Sequence, residues 1–278
     1  MSLLLGDSMH ISLSPTKIGY AQIKAGFKPA LLRQQTWPIN QPLTPDVNNQ
    51  ADSFSLSMLD DTLNKVTAKK KISVVLSNQY VRYLVLPALP ILTKKKGIAD
   101  FAKHAFMEAF GEASAHWTIV VNPFNHGKSL LVCATPTQLI QQLQTKCQQL
   151  KFKLNTIQPY LMAGFNLIRK KSRHTLSCLV QVESDGFLIA LIAEQSWVRV
   201  VYFKQTLTSA AMLKQIIQRE MLLAEWPNQA VSLFTFGLPM HFNMQDARWR
   251  HERIIPKQLI GMDSSIDDAV VMALGGLN

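Results

Sequence analysis

Cysteine is scarce in this chain. The three residues in 278, Cys133, Cys147 and Cys178, are widely spaced and form no C-x-x-C pair, so neither a disulfide framework nor a zinc site is suggested, and a reducing compartment suits them. Long apolar runs are missing as well. The longest, Tyr83 to Leu92, is broken by Pro87 and Pro90 and falls short of the roughly 20 residues a spanning helix needs. No basic segment precedes the short apolar Leu3 to Leu5, so the expectation is a chain that neither spans a membrane nor carries a recognisable export signal. Negative charge is the third shortage. Eighteen Asp and Glu face 29 Lys and Arg, and the resulting net charge of +11 implies acidic partners: nucleic acid, an anionic leaflet or an acidic protein.

Catalytic patterns are equally thin. H-E-x-x-H and related metal spacings do not occur, the histidines are scattered, and no glycine-framed serine or cysteine–histidine pair marks a nucleophile. A two-metal nuclease needs three or four converging carboxylates. Asp7 and one of Glu183 or Asp185 could contribute, but Lys17 to Lys24, Lys71 to Leu76 and Tyr80 to Leu86 bring none. Arg248 to Arg253 mixes cations with Trp249 as single-strand binders do, yet alternation along a strand edge accounts for it, and no nucleic-acid partner is expected.

What is present is enough apolar material, 47% of residues, for two domains or one bilobed domain. Three strands are expected at Leu4 to Leu13, Lys17 to Lys24 and Pro29 to Trp37, then a helix at Ser53 to Thr67 and a strand at Lys71 to Leu76. The same grammar restarts near residue 175. Strands at Thr175 to Val182, Phe187 to Ala193 and Trp197 to Lys204 precede a helix, Ser209 to Trp226, and a buried strand, Val231 to Phe236. Between the copies lies a smaller α/β block. It runs through an amphipathic helix at Gly97 to Phe110, strands at Thr118 to Asn122 and Ser129 to Ala134, a helix at Pro136 to Leu150 and a strand near Phe152 to Ile157, before the helix Pro159 to Lys171. A last helix, Ile266 to Leu274, opens on Ser265 and Asp268 in capping-box spacing.

Residues 76 to 87, Leu-Ser-Asn-Gln-Tyr-Val-Arg-Tyr-Leu-Val-Leu-Pro, join a polar opening to a strand of aromatic and branched residues that Pro87 ends. This string resembles a signature of PilM-type pilus-assembly proteins and their relatives, the MshI-like proteins and the cytoplasmic domain of GspL-type secretion proteins. The resemblance implies a duplicated RNase H-like, or actin-like ATPase, α/β fold: a first lobe over 1–158, holding an inserted subdomain at about 88–158 like that of FtsA, and a second lobe over 159–278. It further implies a non-catalytic scaffold of a type IV pilus or type II secretion platform, cytoplasmic and peripheral to the inner membrane. Such a scaffold would bind the cytoplasmic tail of a single-span partner in a groove between the first lobe and the insertion. Tyr80, Arg82 and Tyr83 are the candidate tail contacts, although half-buried sheet packing of the tyrosines and an internal structural pair at Arg82 explain them equally well. Lys69 to Lys71 and Arg169 to Lys171 follow predicted helices, where cations suit the helix dipole. Lys94, Lys95 and Lys96 precede one, and are the better candidates for a partner or an anionic membrane surface.

Active members of that superfamily hold ATP and magnesium between two glycine-rich hairpins, each opened by an aspartate, and a third small-residue turn. The expected first hairpin, Gly6 to His10, offers Asp7 but no following glycine; the second offers Glu183, Asp185 and Gly186; the third offers only Gly237 before Leu238 and Pro239. All three are degenerate, so no cofactor is expected. The alternative is an active ATPase or kinase resting on those same residues.

Overall fold

The structure, a computed structural model, describes residues 7–24, 26–39, 71–87, 95–122, 128–226, 230–255, 259–262, 266–275 and 277. Contacts divide the chain into two units: Met1–Tyr80 with Thr135–Ala163 and Pro256–Asn278, and Val81–Ala134 with Gly164–Ile255. The helix expected at Ser53 to Thr67 lies outside the described residues.

In the first unit β1 (Ser8–Leu13), β2 (Lys17–Lys24) and β3 (Ala30–Pro38) form an antiparallel meander, and β4 (Lys71–Leu76) joins β1 in parallel. The chain then leaves for β5 (Arg82–Leu86), α1 (Lys95–Phe110), β6 (Trp117–Asn122) and β7 (Leu130–Pro136). It returns through α2 (Thr137–Gln149) to β8 (Lys153–Pro159), completing a sheet of order β3-β2-β1-β4-β8. The central β4 is buried from Ile72 to Leu76, as a parallel strand covered on both faces must be. The edge strand β3 instead carries exposed Arg33, Gln34 and Gln35. After α3 (Tyr160–Ile168) the second unit repeats the plan. The meander β9 (Ser177–Glu183), β10 (Gly186–Ala193) and β11 (Ser196–Phe203) leads through α4 (Ala210–Leu223) to β12 (Val231–Phe236), parallel to β9, and to β13 (Trp249–Arg253). The resulting order, β11-β10-β9-β12-β13, matches the first sheet position for position and is the duplicated RNase H-like arrangement.

The small sheet β5-β7-β6 is covered by α1. Ala102 and Phe106, spaced at one helical turn, pack on Leu86, Leu130 and Val132, with Trp117, Ile119 and Val121 closing the edge.

Several boundaries differ from expectation. The block expected at 88–158 contributes β8 to the first sheet, where Leu154 and Ile157 stand in register with Ile72 and Val74. Its remaining small sheet groups with the second unit, because Ser129 Oγ donates to the Trp197 carbonyl (2.5 Å) and shares a hydrogen bond with Ser196 Oγ (2.7 Å). The final helix, α5 (Asp268–Leu274), belongs to the first unit rather than to the span 159–278. Its Val270 and Leu274 pack with Ala21 and Ile23 of β2, and Ser12 Oγ donates to the Ala269 carbonyl (2.5 Å). Asp267 caps this helix by accepting from Ala269 N (2.8 Å); the expected opening residue Ser265 lies outside the described residues. The expected strand Tyr80 to Leu86 is a single 3₁₀ turn, Asn78–Tyr80, followed by β5.

Candidate functional site

The polar opening of the signature string is a structural junction. Ser77 N donates to the Leu13 carbonyl (2.8 Å) and Ser77 Oγ accepts from Gln79 N (3.1 Å), which turns the chain out of β4. Asn78, fully buried, accepts from Leu161 N with its Oδ1 (3.0 Å). That bond caps α3, whose preceding residue, Pro159, has no capping side chain. Thr135 Oγ1 donates to the Tyr80 carbonyl (2.8 Å). Tyr80 and Tyr83 are only 2% and 9% exposed, and burial first, then the neighbouring Cys133, Glu183 and Tyr202, pushes the Tyr83 hydroxyl well above its ordinary pKa. Both tyrosines therefore belong to the packed interior, the sheet-packing alternative weighed for them above. Arg82, at the start of β5 and opposite Ala134, is half-buried, as are Gln79, Leu84 and Val85 of the same string. Of the lysine run, Lys96 is exposed in the first turn of α1, Lys95 begins that helix, and Lys94 lies outside the described residues.

The three turns expected to meet a nucleotide are each tied by local contacts. Asp7 stands before β1, at the opposite end of that strand from the β1–β2 turn, so the first hairpin is Ser14-Pro15-Thr16 and not Gly6 to His10. Ser14 closes this turn twice, its Oγ donating to the Lys17 carbonyl (2.8 Å) and accepting from Lys17 N (3.0 Å), while Ser12 Oγ accepts from Gly19 N (3.2 Å). In the second unit Glu183 and Gly186 flank the β9–β10 turn, with Asp185 in it. A Cβ on Gly186 would overlap Tyr202 and the Phe203 carbonyl, so glycine is required there by the approach of β11. Gly237, after β12, has φ +74°, and a Cβ on it would fall 2.5 Å from the Val182 carbonyl.

Sequence reasoning missed what organises the loop after Gly237. The Arg253 guanidinium, on the edge strand β13, donates to four carbonyls: Leu238 (2.7 Å), Pro239 (3.1 Å), Met240 (3.2 Å) and Phe242 (2.8 Å). Only the mixed Trp249 to Arg253 alternation hinted at it. Elsewhere, buried Glu220 is held by Arg199 Nε (2.5 Å) and by Arg219 (2.8 Å), an ion network internal to the second unit. Burial pushes the Cys133 and Cys147 thiols up to about 12 and about 11, far from a nucleophilic thiolate. Among the described residues no three His, Cys, Asp or Glu side chains gather as a metal site.

No family model matches the chain, and no curated protein matches it either. Solved structures do. A chain of the PilM–PilN type IV pilus biogenesis complex superposes with TM-score 0.66 over 98% of both chains at 12% identity. The cytoplasmic domain of EpsL, an inner-membrane component of the type II secretion system of Vibrio cholerae, gives 0.62 at 10% identity over 98% of this chain and 93% of its own. A Bacteroides thetaiotaomicron protein with an actin-like ATPase fold gives 0.56 at 9% identity over 85% and 84%. The chain has the actin-like ATPase fold. The hairpins β1–β2 and β9–β10 and the turn after β12 carry the serine bonds, the close strand approach and the Arg253 clasp just described.

Proposed function

We propose that the chain is a non-catalytic scaffold of a type IV pilus or type II secretion assembly platform, binding the cytoplasmic tail of a single-span inner-membrane partner. The observation that carries this reading is a whole-chain actin-like fold whose turn after β12 gives four carbonyls to Arg253. The likeness to a chain of a pilus biogenesis complex and to the cytoplasmic part of an inner-membrane secretion component supports the setting. The turn residues do not fit ATP and magnesium: the Lys17 and Gly19 N–H groups are used within the first unit, and Gly186 and Gly237 serve packing. Glu183, Asp185, Gly186 and Gly237 are then remnants of a degenerate nucleotide site, from which Asp7, at the other end of β1, stands apart, and the protein works without a cofactor.

Arg82 supplies the specific contact, donating to a carboxylate or to main-chain carbonyls of the tail. An extended tail loses conformational entropy on docking, so a few charge-assisted bonds of this kind must offset it. Lys94, Lys95 and Lys96 add long-range attraction to the anionic inner leaflet, which keeps the scaffold at the cytoplasmic face of the membrane. Isothermal titration with the cytoplasmic tail peptide of a single-span protein encoded beside this chain tests the reading. Arg82→Ala should melt like the parent and bind at least about tenfold more weakly, since one charge-assisted hydrogen bond contributes roughly 1.5–3 kcal/mol. Equal affinity in the variant would remove Arg82 from the interface, and absence of binding by the parent chain would count against the scaffold itself.

A further inference from the structure

Charge in this chain is unevenly placed. Residues 62–182 hold 17 Lys and Arg against 3 Asp and Glu, whereas the remainder holds 12 against 15. In the first unit, part of that excess collects at one end of the sheet. The register sets Leu31, Ile23, Ser8, Lys71 and Lys153 in one row across β3, β2, β1, β4 and β8. Lys24 extends one residue beyond that row and Lys151 two, and all four lysines are exposed. Lys71 and Lys153 are direct neighbours on adjacent parallel strands, about 4.8 Å apart, a like-charge pairing that the fold alone gains nothing from. Among the described residues no ion pair engages Lys24, Lys28, Lys71, Lys151 or Lys153. The other end of the sheet differs: its Lys17 is paired with Asp267 at 2.9 Å.

At the lysine end the β2–β3 hairpin projects Phe27, fully exposed, between Lys24 and Lys28. Two further large apolar side chains stand open on the β3 edge of the same sheet. Leu32 lies on β3, and Ile260 is bridged to Ala30 and accepts from Leu31 N through its carbonyl (2.8 Å). Water gives no return for an aromatic held on a hairpin tip, nor for aliphatic side chains around it. A phosphodiester chain would use the lysines, but Leu32 and Ile260 offer it nothing to stack on. A lipid surface rewards both features at once, with cations at the anionic headgroups and the apolar tip in the acyl boundary.

We infer that this end of the first sheet, with Phe27 as its wedge and Lys24, Lys28, Lys71, Lys151 and Lys153 around it, binds an anionic lipid surface. The inference does not depend on tail binding, because vesicle binding is measured with the chain alone and tail affinity with the peptide alone. Co-sedimentation with phosphatidylcholine vesicles, with and without phosphatidylglycerol, tests it. The parent chain should bind only the anionic vesicles, and more weakly at high salt. Phe27→Ser should lower that affinity about tenfold, the worth of burying one large apolar side chain. Lys71→Glu combined with Lys153→Glu should lower it more than tenfold. Both changes lie at exposed positions, and unchanged melting curves would verify the folds. In a Phe27→Trp variant, indole emission should shift to the blue on adding anionic vesicles and stay put with neutral ones. Unaltered binding by Phe27→Ser, or no emission shift, would overturn the proposal. So would binding to a soluble polyanion that depends on the lysines but not on Phe27, which would assign the rim to an acidic macromolecule.

Discussion

The two five-stranded sheets share one strand order but not one way of being finished. In the first, β2 carries Gly19 so that α5 can lie against it: a Cβ there would stand 2.5 Å from Ser12 Oγ and overlap the Ala269 carbonyl. In the second, β10 is buried from Gly186 to Ile192, and the cover comes from α4 through Leu213 and Ile217. The first hairpin is closed by a serine hydroxyl, the second by a two-residue turn under Tyr202, and the loop after β12 is clasped by Arg253. Strand order thus follows from alternation and crossover handedness, while covers and turns are free to diverge. A duplicated fold can keep its strand order while its turns and covers diverge.

Breaking the second sheet's end should have the largest effect. Gly237→Ala puts a side chain into the left-handed region and against the Val182 carbonyl, and should destabilise by about 3 kcal/mol or more, measured by denaturant unfolding. An acid titration should expose the histidines that burial shifts: His251 of the second sheet is held below its ordinary range by burial and then by Arg253, and His10 of the first is shifted in the same direction. His10, 4% exposed and sharing a hydrogen bond with Ser8 Oγ at 3.0 Å, is held by burial at a pKa of about 4 instead of 6.5. It is neutral in the fold, and the unfolded chain takes up the proton first, so stability should fall as pH drops from 6.5 to 4. The loss attributable to His10 is about 3 kcal/mol, and His10→Leu should flatten the curve over that window.

The sequence made much of this legible. Period-two alternation placed the meanders of both copies, and the helical spacing of Ala102 and Phe106 placed the face of α1. Aspartate and glycine attracted the first nucleotide turn to Gly6 to His10, whereas the chain turns at Ser14-Pro15-Thr16, a break the sequence also displayed. The return of α5 to the first sheet joins residues about 250 apart and no local pattern announces it, whereas the Arg253 clasp was hinted at only by the mixed Trp249 to Arg253 alternation. The signature string was visible, but its polar residues serve a junction: Asn78→Ala should cost about 1 kcal/mol by uncapping α3, read from the melting temperature.

The smallest effect should come from the first sheet's surface pair. Burial opposes the Asp267 charge, but the Lys17 ammonium and the Ala269 N–H outweigh it and hold the carboxyl below its ordinary range. Its contribution is present above the unfolded pKa and is lost as pH falls through the lowered folded value. With both partners partly exposed, Lys17→Met should destabilise by only about 0.5 kcal/mol at neutral pH.

The claim that the actin-like sheets persist here without a nucleotide site is tested most directly by a melting scan of the full chain with magnesium and ATP. A ligand at about 100 times its Kd stabilises the folded state by about 2.7 kcal/mol, an easily measured shift. The account predicts a melting temperature unchanged by Mg–ATP; a clear magnesium-dependent rise would contradict it and return Glu183, Asp185 and Gly237 to a working site.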